Sequence, residues 1–338
     1  MKLATRRTYF GDRLCFPELV NGAVVDVQAA YSSQLMAGGV HREDAVARAG
    51  RSIPSTLADA LVDDPTLSLF RSVYDWSAAA ALAGTLDLDC CWSDQRYKIG
   101  SPVGRPSTIW GMTANYPRQH VTENDSASGI RPAGMQGFLK AAGAVSGAHD
   151  DLIYPSISNR VAPEIELGVV IGRRSRHLTA EAAMASVAGY VLFVDTGARD
   201  ISELDNNKMD RGKGFDTFGI VGPWFVTADE IGDPHDLGIR WWINKELVQQ
   251  GSTAEMFNPI PEQLAWLTEA LTLFPGDILS TGTPPGVTSI VPGDRIRGEI
   301  DGLGAVAFNV VADAASARTA DHPNANGAVT TLTFGGSK

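Results

Sequence analysis

The chain has 338 residues, of which 44% are hydrophobic and 20% charged, an ordinary globular composition with enough length for a substantial core and two or three domains. A net charge of −11, with no basic stripe to displace counterions, excludes a reader of phosphate backbones, so nucleic acid is not an expected partner. No apolar run approaches the roughly 20 residues of a bilayer span, and Met1-Lys-Leu-Ala opens like a strand and not like a signal peptide, so no membrane partner and a cytoplasmic location are expected.

Residues 1 to 30 read as short strands, with Asn21-Gly22 between Leu19-Val20 and Ala23-Val24-Val25 as a hairpin signal. Two or three helices follow: Ser55 is placed to cap Thr56 to Val62, and Pro65 or Thr66 to open an alanine-rich helix reaching Ala83. Gly, Pro and polar residues from Leu86 to Pro106 read as a linker, which divides the chain into a small α/β domain (1–105) and a second domain (106–311). Cys15, Cys90 and Cys91 are odd in number, and the adjacent pair is badly placed for a mutual disulfide, so reduced thiols packed as small apolar groups are expected.

The second domain opens with Ser107 to Gly111. In the segment after it, His120 and Glu123 stand three apart, so one helical turn would let the carboxylate orient the imidazole and raise its basicity. His41, His149, His177, His235 and His322 have no such neighbours and read as surface residues. In Ala162-Pro-Glu-Ile-Glu-Leu-Gly-Val-Val-Ile-Gly172, strand alternation puts Glu164 and Glu166 on one face and Ile165, Leu167, Val169 and Ile171 on the other. An E-x-E pair by itself is ordinarily a solvated face. Here a third carboxylate, Asp195, ends the next strand-like run from Ala188, after a helix capped by Thr179 and reaching Val187. Three carboxylates without His or Cys form a hard oxygen site suited to Mg²⁺, Mn²⁺ or Ca²⁺, and like charges that close need a positive partner or a shared proton.

Lys213, flanked by glycines, can bring charge and open amides to an anion, although the spacing is not that of a phosphate loop. Trp241 to Val248 reads as a hairpin turning at Asn244-Lys245, Pro261 to Leu273 as an amphipathic helix, and Ile278 to Gly286 as a strand running into a Gly-Pro loop. Arg295–Ile300 and Ala305–Val311 read as strands, and residues 312–338 as a loose tail. The fold class is therefore α+β, mostly β, rolled or barrel-like.

Five motifs in this order resemble the fumarylacetoacetate hydrolase family, which includes acylpyruvases and oxaloacetate decarboxylases. They are Glu164-Ile-Glu-Leu-Gly-Val-Val-Ile-Gly, Val194-Asp-Thr-Gly-Ala-Arg-Asp, Gly212-Lys-Gly-Phe-Asp-Thr, Pro275-Gly-Asp-Ile-Leu-Ser-Thr-Gly-Thr-Pro-Pro-Gly-Val and Gly293-Asp-Arg-Ile. The resemblance implies a mixed β-roll with a smaller N-terminal domain, usually dimeric. It implies Glu164, Glu166 and Asp195 as metal ligands, Lys213 and Thr217 near the metal, and Lys140 as the lysine of the F-x-K segment. Arg199 and Thr283 would meet substrate, with Tyr116 and Ser202 beside them, and His120 and Glu123 would be a catalytic pair in a lid. Asn115-Tyr-Pro-Arg-Gln-His120 carries one residue more than the family's N-Y-x-x-H, and Val194 and Ser202 replace the usual Asn and Gln, which implies a changed substrate end.

The expected activity is metal-dependent hydrolysis of a C–C bond in a 1,3-diketone or acylpyruvate-type 2-oxo acid. The metal, Mg²⁺ or Mn²⁺, would act as Lewis acid, His120 as base for water, and Lys213 or Lys140 as oxyanion stabiliser. The alternatives are a lyase decarboxylating a β-keto acid such as oxaloacetate, a hydratase or isomerase of an oxo-dienoate, and a non-catalytic ligand-binding protein on the same fold.

Overall fold

The computed structural model describes residues 1–9, 11–20, 23–92, 98–117 and 134–314. The Ile165–Ile171 strand is its centre. All seven residues are buried, and alternation divides them between two cores: Ile165, Leu167, Val169 and Ile171 enter one and Val170 the other. The strand pairs antiparallel with Val187–Asp195, Ile165 opposite Val194, and with Ile278–Ser280, Gly168 opposite Ser280. That register brings Glu166 beside the end of one neighbour and the exit loop of the other.

The sheet continues through Ile109–Thr113 to Gln136–Lys140 on one side. On the other it runs through Phe225–Thr227 to Lys2–Thr8, Gly11–Val20, Ala23–Asp26 and Cys91–Trp92. A second sheet, ordered Glu246–Ser252, Gly238–Ile243, Arg295–Ile300, Gly304–Ala312 and Leu152–Tyr154, closes over the first face. Ile239, Trp241, Ile296 and Phe308 from it share the larger core with Ile165 and Leu167. Asn244 and Lys245 have positive φ (52° and 89°) between the paired Ile243 and Glu246, so the expected two-residue turn forms there. This is the mostly β, α+β architecture the pattern implies.

Four helices, not two or three, cover the opposite face: Val27–Ala37, Arg42–Ser52, Leu57–Asp63 and Ser68–Leu82. The cap of the third is Thr56 and not Ser55, its hydroxyl accepting from the Asp59 amide. The fourth starts later than Thr66 because Asp64 takes the Thr66 and Ser68 amides (2.9 and 2.6 Å), which holds that stretch as a turn. The Thr179 helix ends as Ala180–Ala183 with a 3₁₀ turn to Ser186, since the strand must begin at Val187 to pair with Ile171. The Pro261 helix spans Ile260–Ala270, and His235, expected on the surface, is half-buried and accepts from the Ile260 amide at its start (3.0 Å).

Residue 105 does not mark a break between cores. Lys2–Thr8 pairs with Phe225–Thr227, and Leu3, Phe16 and Val25 share one core with Val170, Phe193 and Ile278. The linker expected over 86–106 is partly built into that sheet, Cys91 opposite Val25 and Gly100 opposite Thr5. Cys15 and Cys90 are buried and Cys91 half-buried, all three free, and burial pushes the Cys15 thiol up to about 12. Among the described residues no helix is long and apolar enough to cross a membrane. The Asn21-Gly22 turn, His322 and the tail beyond Ala314 lie outside the described residues, as do His120 and Glu123.

Candidate metal centre

Glu164, Glu166 and Asp195 each offer a carboxylate oxygen within 4.8 Å of the others; Glu164 and Glu166 line a cavity of about 810 Å³, and Asp195 is buried beside them. The backbone sets this up: the Asp195 amide donates to the Glu164 carbonyl (2.8 Å), locking the two strand ends together. Glu166 and Asp195 are each only 1% exposed, so they need compensation. Glu166 receives Ser280 Oγ (2.5 Å) and the Gly282 amide (2.8 Å), both on Oε2. Gly282 has φ +94°, and a Cβ there would lie 3.1 Å from Asn115 Cβ, so a side chain would displace the loop that supplies the amide.

Two lysines grip Asp195. Lys140 Nζ donates to Oδ1 (2.8 Å) and to the carbonyls of Thr196 (3.2 Å) and Lys213 (2.6 Å), which uses all three of its hydrogens. Lys213 Nζ donates to Asp195 Oδ2 (2.7 Å) and Glu164 Oε2 (2.5 Å), so its charge lies between two of the three carboxylates. A Cβ on Gly197 would come within 3.0 Å of Lys213 Cε, so that glycine serves as the wall against which the lysine packs. Arg199 Nη2 meets Glu164 Oε1 at 2.8 Å, half-exposed at the cavity mouth.

Burial raises the Glu166 carboxyl to about 8, reinforced by the charges of Asp195 and Glu164. Burial also opposes ionisation of Asp195, but Lys140 and Lys213 outweigh it and hold the group below the usual carboxylate range. Lys140 is lowered by burial, while for Lys213 the three carboxylates overcome burial and raise it. The three cations are placed unevenly: Arg199 and Lys213 pair with Glu164, and Lys140 and Lys213 with Asp195, while Glu166 is met by Ser280 and the Gly282 amide. A divalent cation is a partner that the donor set fits: hard oxygens, no sulfur or imidazole, beside a solvent-facing cavity.

The pH dependence follows in sign. Without a cation, the raised Glu166 carboxyl contributes stability that is full below its ordinary value of 4.5 and is lost as pH rises through about 8. Cation binding requires the proton to leave, so affinity is expected to fall about tenfold for each pH unit below 8. Calorimetric titration with Mn²⁺ in buffers of different ionisation enthalpy at pH 6.5 should register close to one proton released per ion bound. No release would place the bound ion away from Glu166.

Of the other residues singled out from the sequence, Tyr116, Ser202 and Thr283 line the cavity with Arg199 and Lys213. Ser202 Oγ points back to the Ala198 carbonyl (3.4 Å), and Thr283 Oγ1 accepts from Gln249 Nε2 (2.8 Å). Thr217 turns elsewhere, accepting from the Ile153 amide (2.9 Å), and is not among the residues lining the cavity. Lys140 does not reach the cavity either; it positions Asp195. Gln249 is missing from the sequence reading. It is buried in a hairpin strand and ties down the Thr283-Pro284 loop through Thr283 Oγ1 and the Pro284 carbonyl. Asn115 is the second brace, donating to the Thr281 carbonyl (2.8 Å) and accepting from the Asn258 amide (3.0 Å). Strand alternation could have pointed Gln249 inward, but its partner lies in a loop far along the chain.

A rolled, mostly β scaffold thus carries a carboxylate triad that could hold a divalent cation beside a polar cavity. The chain belongs to the fumarylacetoacetate hydrolase family: the model described as Fumarylacetoacetate (FAA) hydrolase C-terminal matches residues 108–311. It is similar to the mitochondrial oxaloacetate tautomerase Fahd2a of Rattus norvegicus, 37% identical over 219 residues that cover 62% of this chain and 68% of the relative. It is equally similar, 37% over 210 residues, to 2,4-didehydro-3-deoxy-L-rhamnonate hydrolase of Sphingomonas sp. (strain SKA58), covering 62% and 72%. Among solved structures, maleylpyruvate hydrolase from Sphingobium sp. SYK-6 in complex with manganese(II) and pyruvate superposes with a TM-score of 0.66 at 29% identity, covering 92% of this chain and 99% of that one.

Proposed function

We propose that the chain hydrolyses a C–C bond in an acylpyruvate-type 2-oxo acid or 1,3-diketone, using Mg²⁺ or Mn²⁺ bound by Glu164, Glu166 and Asp195. The observation that carries this is the convergence of those three carboxylates within 4.8 Å under a cavity that also presents Lys213 and Arg199. When bound, the cation supplies Lewis acidity toward adjacent carbonyl and carboxylate oxygens. Lys140 and the Ser280–Gly282 segment keep the triad from collapsing or turning. Lys213 and Arg199 both act once released from Glu164: Lys213 donates a hydrogen bond where negative charge develops on the 2-oxo oxygen, and Arg199 pairs with a substrate carboxylate. Hydrolysis also requires a base for water, the role proposed for His120 oriented by Glu123. The likeness to the maleylpyruvate hydrolase from Sphingobium, solved in complex with manganese(II) and pyruvate, supports this reading.

A second reading keeps the same enolate chemistry without water: tautomerisation or decarboxylation of a β-keto acid. It is favoured by the oxaloacetate tautomerase named among the relatives. A substrate panel separates the two. With Mg²⁺ or Mn²⁺, hydrolysis is expected to bleach the diketone absorbance of an acylpyruvate with release of pyruvate, and chelator should stop it. Carbon dioxide release or keto–enol equilibration from oxaloacetate, without acylpyruvate cleavage, would support the second reading instead. Ligand binding without any turnover would leave only a binding protein.

A further inference from the structure

Two arginines meet just past the end of the short ladder Val161–Ala162 with Gly197–Ala198, Arg199 being the first residue of the helix Arg199–Leu204. Val161 pairs with Ala198, and one step further the Arg199 amide donates to the Arg160 carbonyl (2.9 Å). Like charges lining one cavity repel. Each guanidinium is relieved by a different carboxylate: Arg199 by Glu164 and Arg160 by Glu203, through Nη2 to Oε1. Arg160, Arg199 and Glu203 all line the cavity. Arg160 and Glu203 are 45% and 57% exposed, so their pair is solvent-screened and readily exchanged.

We infer that Arg160 is a specificity residue that takes a second, distal carboxylate of the substrate in exchange for Glu203, so that the cavity selects dicarboxylic over monocarboxylic 2-oxo acids. This rests on the proposed reading of the triad as the site that holds the 2-oxo acid end. Arg160 fits the role on three grounds. Its guanidinium is a permanent cation with a planar fork that matches a carboxylate. Its partner is a carboxylate, so the exchange replaces like with like. Its backbone is tied to that of Arg199 by the Arg199 amide, so both side chains arise from one edge of the cavity. Glu203 then acts as an internal competitor, and it repels any anion that fails to displace it.

The test uses matched ligands on Mn²⁺-loaded protein by calorimetry: 2-oxoglutarate, which carries a distal carboxylate, and 2-oxopentanoate, which ends in a methyl group at the same reach. The wild type is expected to bind 2-oxoglutarate at least tenfold more tightly. Arg160→Ala should erase that preference by weakening 2-oxoglutarate tenfold or more, and Glu203→Gln should strengthen it severalfold, with 2-oxopentanoate within about twofold in both. Arg160→Lys should retain part of the preference. If neither ligand binds the loaded wild type, the reading of the triad fails. If both bind but wild type shows no preference, or Arg160→Ala weakens both equally, the triad stands and the role of Arg160 is overturned.

Discussion

Glu166→Gln is expected to abolish cation binding and to lower kcat/KM on the order of a thousandfold or more, about 4 kcal/mol of transition-state stabilisation. The amide is isosteric and its oxygen can still accept from Ser280 Oγ and the Gly282 amide, so the fold should survive. What it loses is the charge that the cation needs. Because the native carboxyl is raised to about 8 by burial, the variant should be at least as stable as the cation-free wild type at pH 9, where the wild type carries a buried negative charge on Glu166. Loss of activity together with unchanged or increased stability separates a ligand's role from a packing role. Mn²⁺ titration and urea denaturation at pH 9 measure both, and a variant that binds and turns over normally would remove Glu166 from the centre.

Lys140→Met is expected to have the largest effect on the fold itself. The side chain is 1% exposed and its three hydrogen bonds go to Asp195 and to the Thr196 and Lys213 carbonyls. Methionine fills most of the space but leaves two buried carbonyls unpaired and Asp195 dependent on Lys213 alone. Breaking one side of a buried pair typically costs about 3–5 kcal/mol. A bound cation supplies positive charge to the same carboxylate, so Mn²⁺ should restore part of the loss, and the gap between variant and wild type in urea should be wider with chelator than with metal. A loss below about 1 kcal/mol would mean that Asp195 is adequately held without Lys140.

The triad was legible in the sequence because Glu166 and Asp195 sit on strands and Glu164 directly precedes the first of them. Glu166 follows from the buried row Ile165, Leu167, Val169, and Asp195 from the end of the next strand, whose antiparallel pairing returns it to the same edge. Spacing alone could not show how the charge is balanced. Lys140 and Lys213 are 73 residues apart in chain order, and only the closed sheet reveals that one is a buried brace and the other faces the cavity. Thr217 illustrates the same limit, since its motif position resembles a site threonine while its hydroxyl serves the Ile153 amide. The helical cover was undercounted because short amphipathic stretches such as Val27–Ala37 carry little periodic signal when their neighbours are also apolar. The continuity of the first hundred residues with the main sheet rests on Lys2–Thr8 finding Phe225–Thr227, a pairing across most of the chain that no local pattern encodes.

The central claim is that one divalent cation is held jointly by Glu164, Glu166 and Asp195. Anomalous diffraction from crystals grown with Mn²⁺ tests it most directly: one peak is expected, about 2.0–2.3 Å from an oxygen of each carboxylate, with Lys213 moved off Glu164. A peak bound elsewhere, or none at saturating Mn²⁺ with Lys213 still bridging Glu164 and Asp195, would contradict the account.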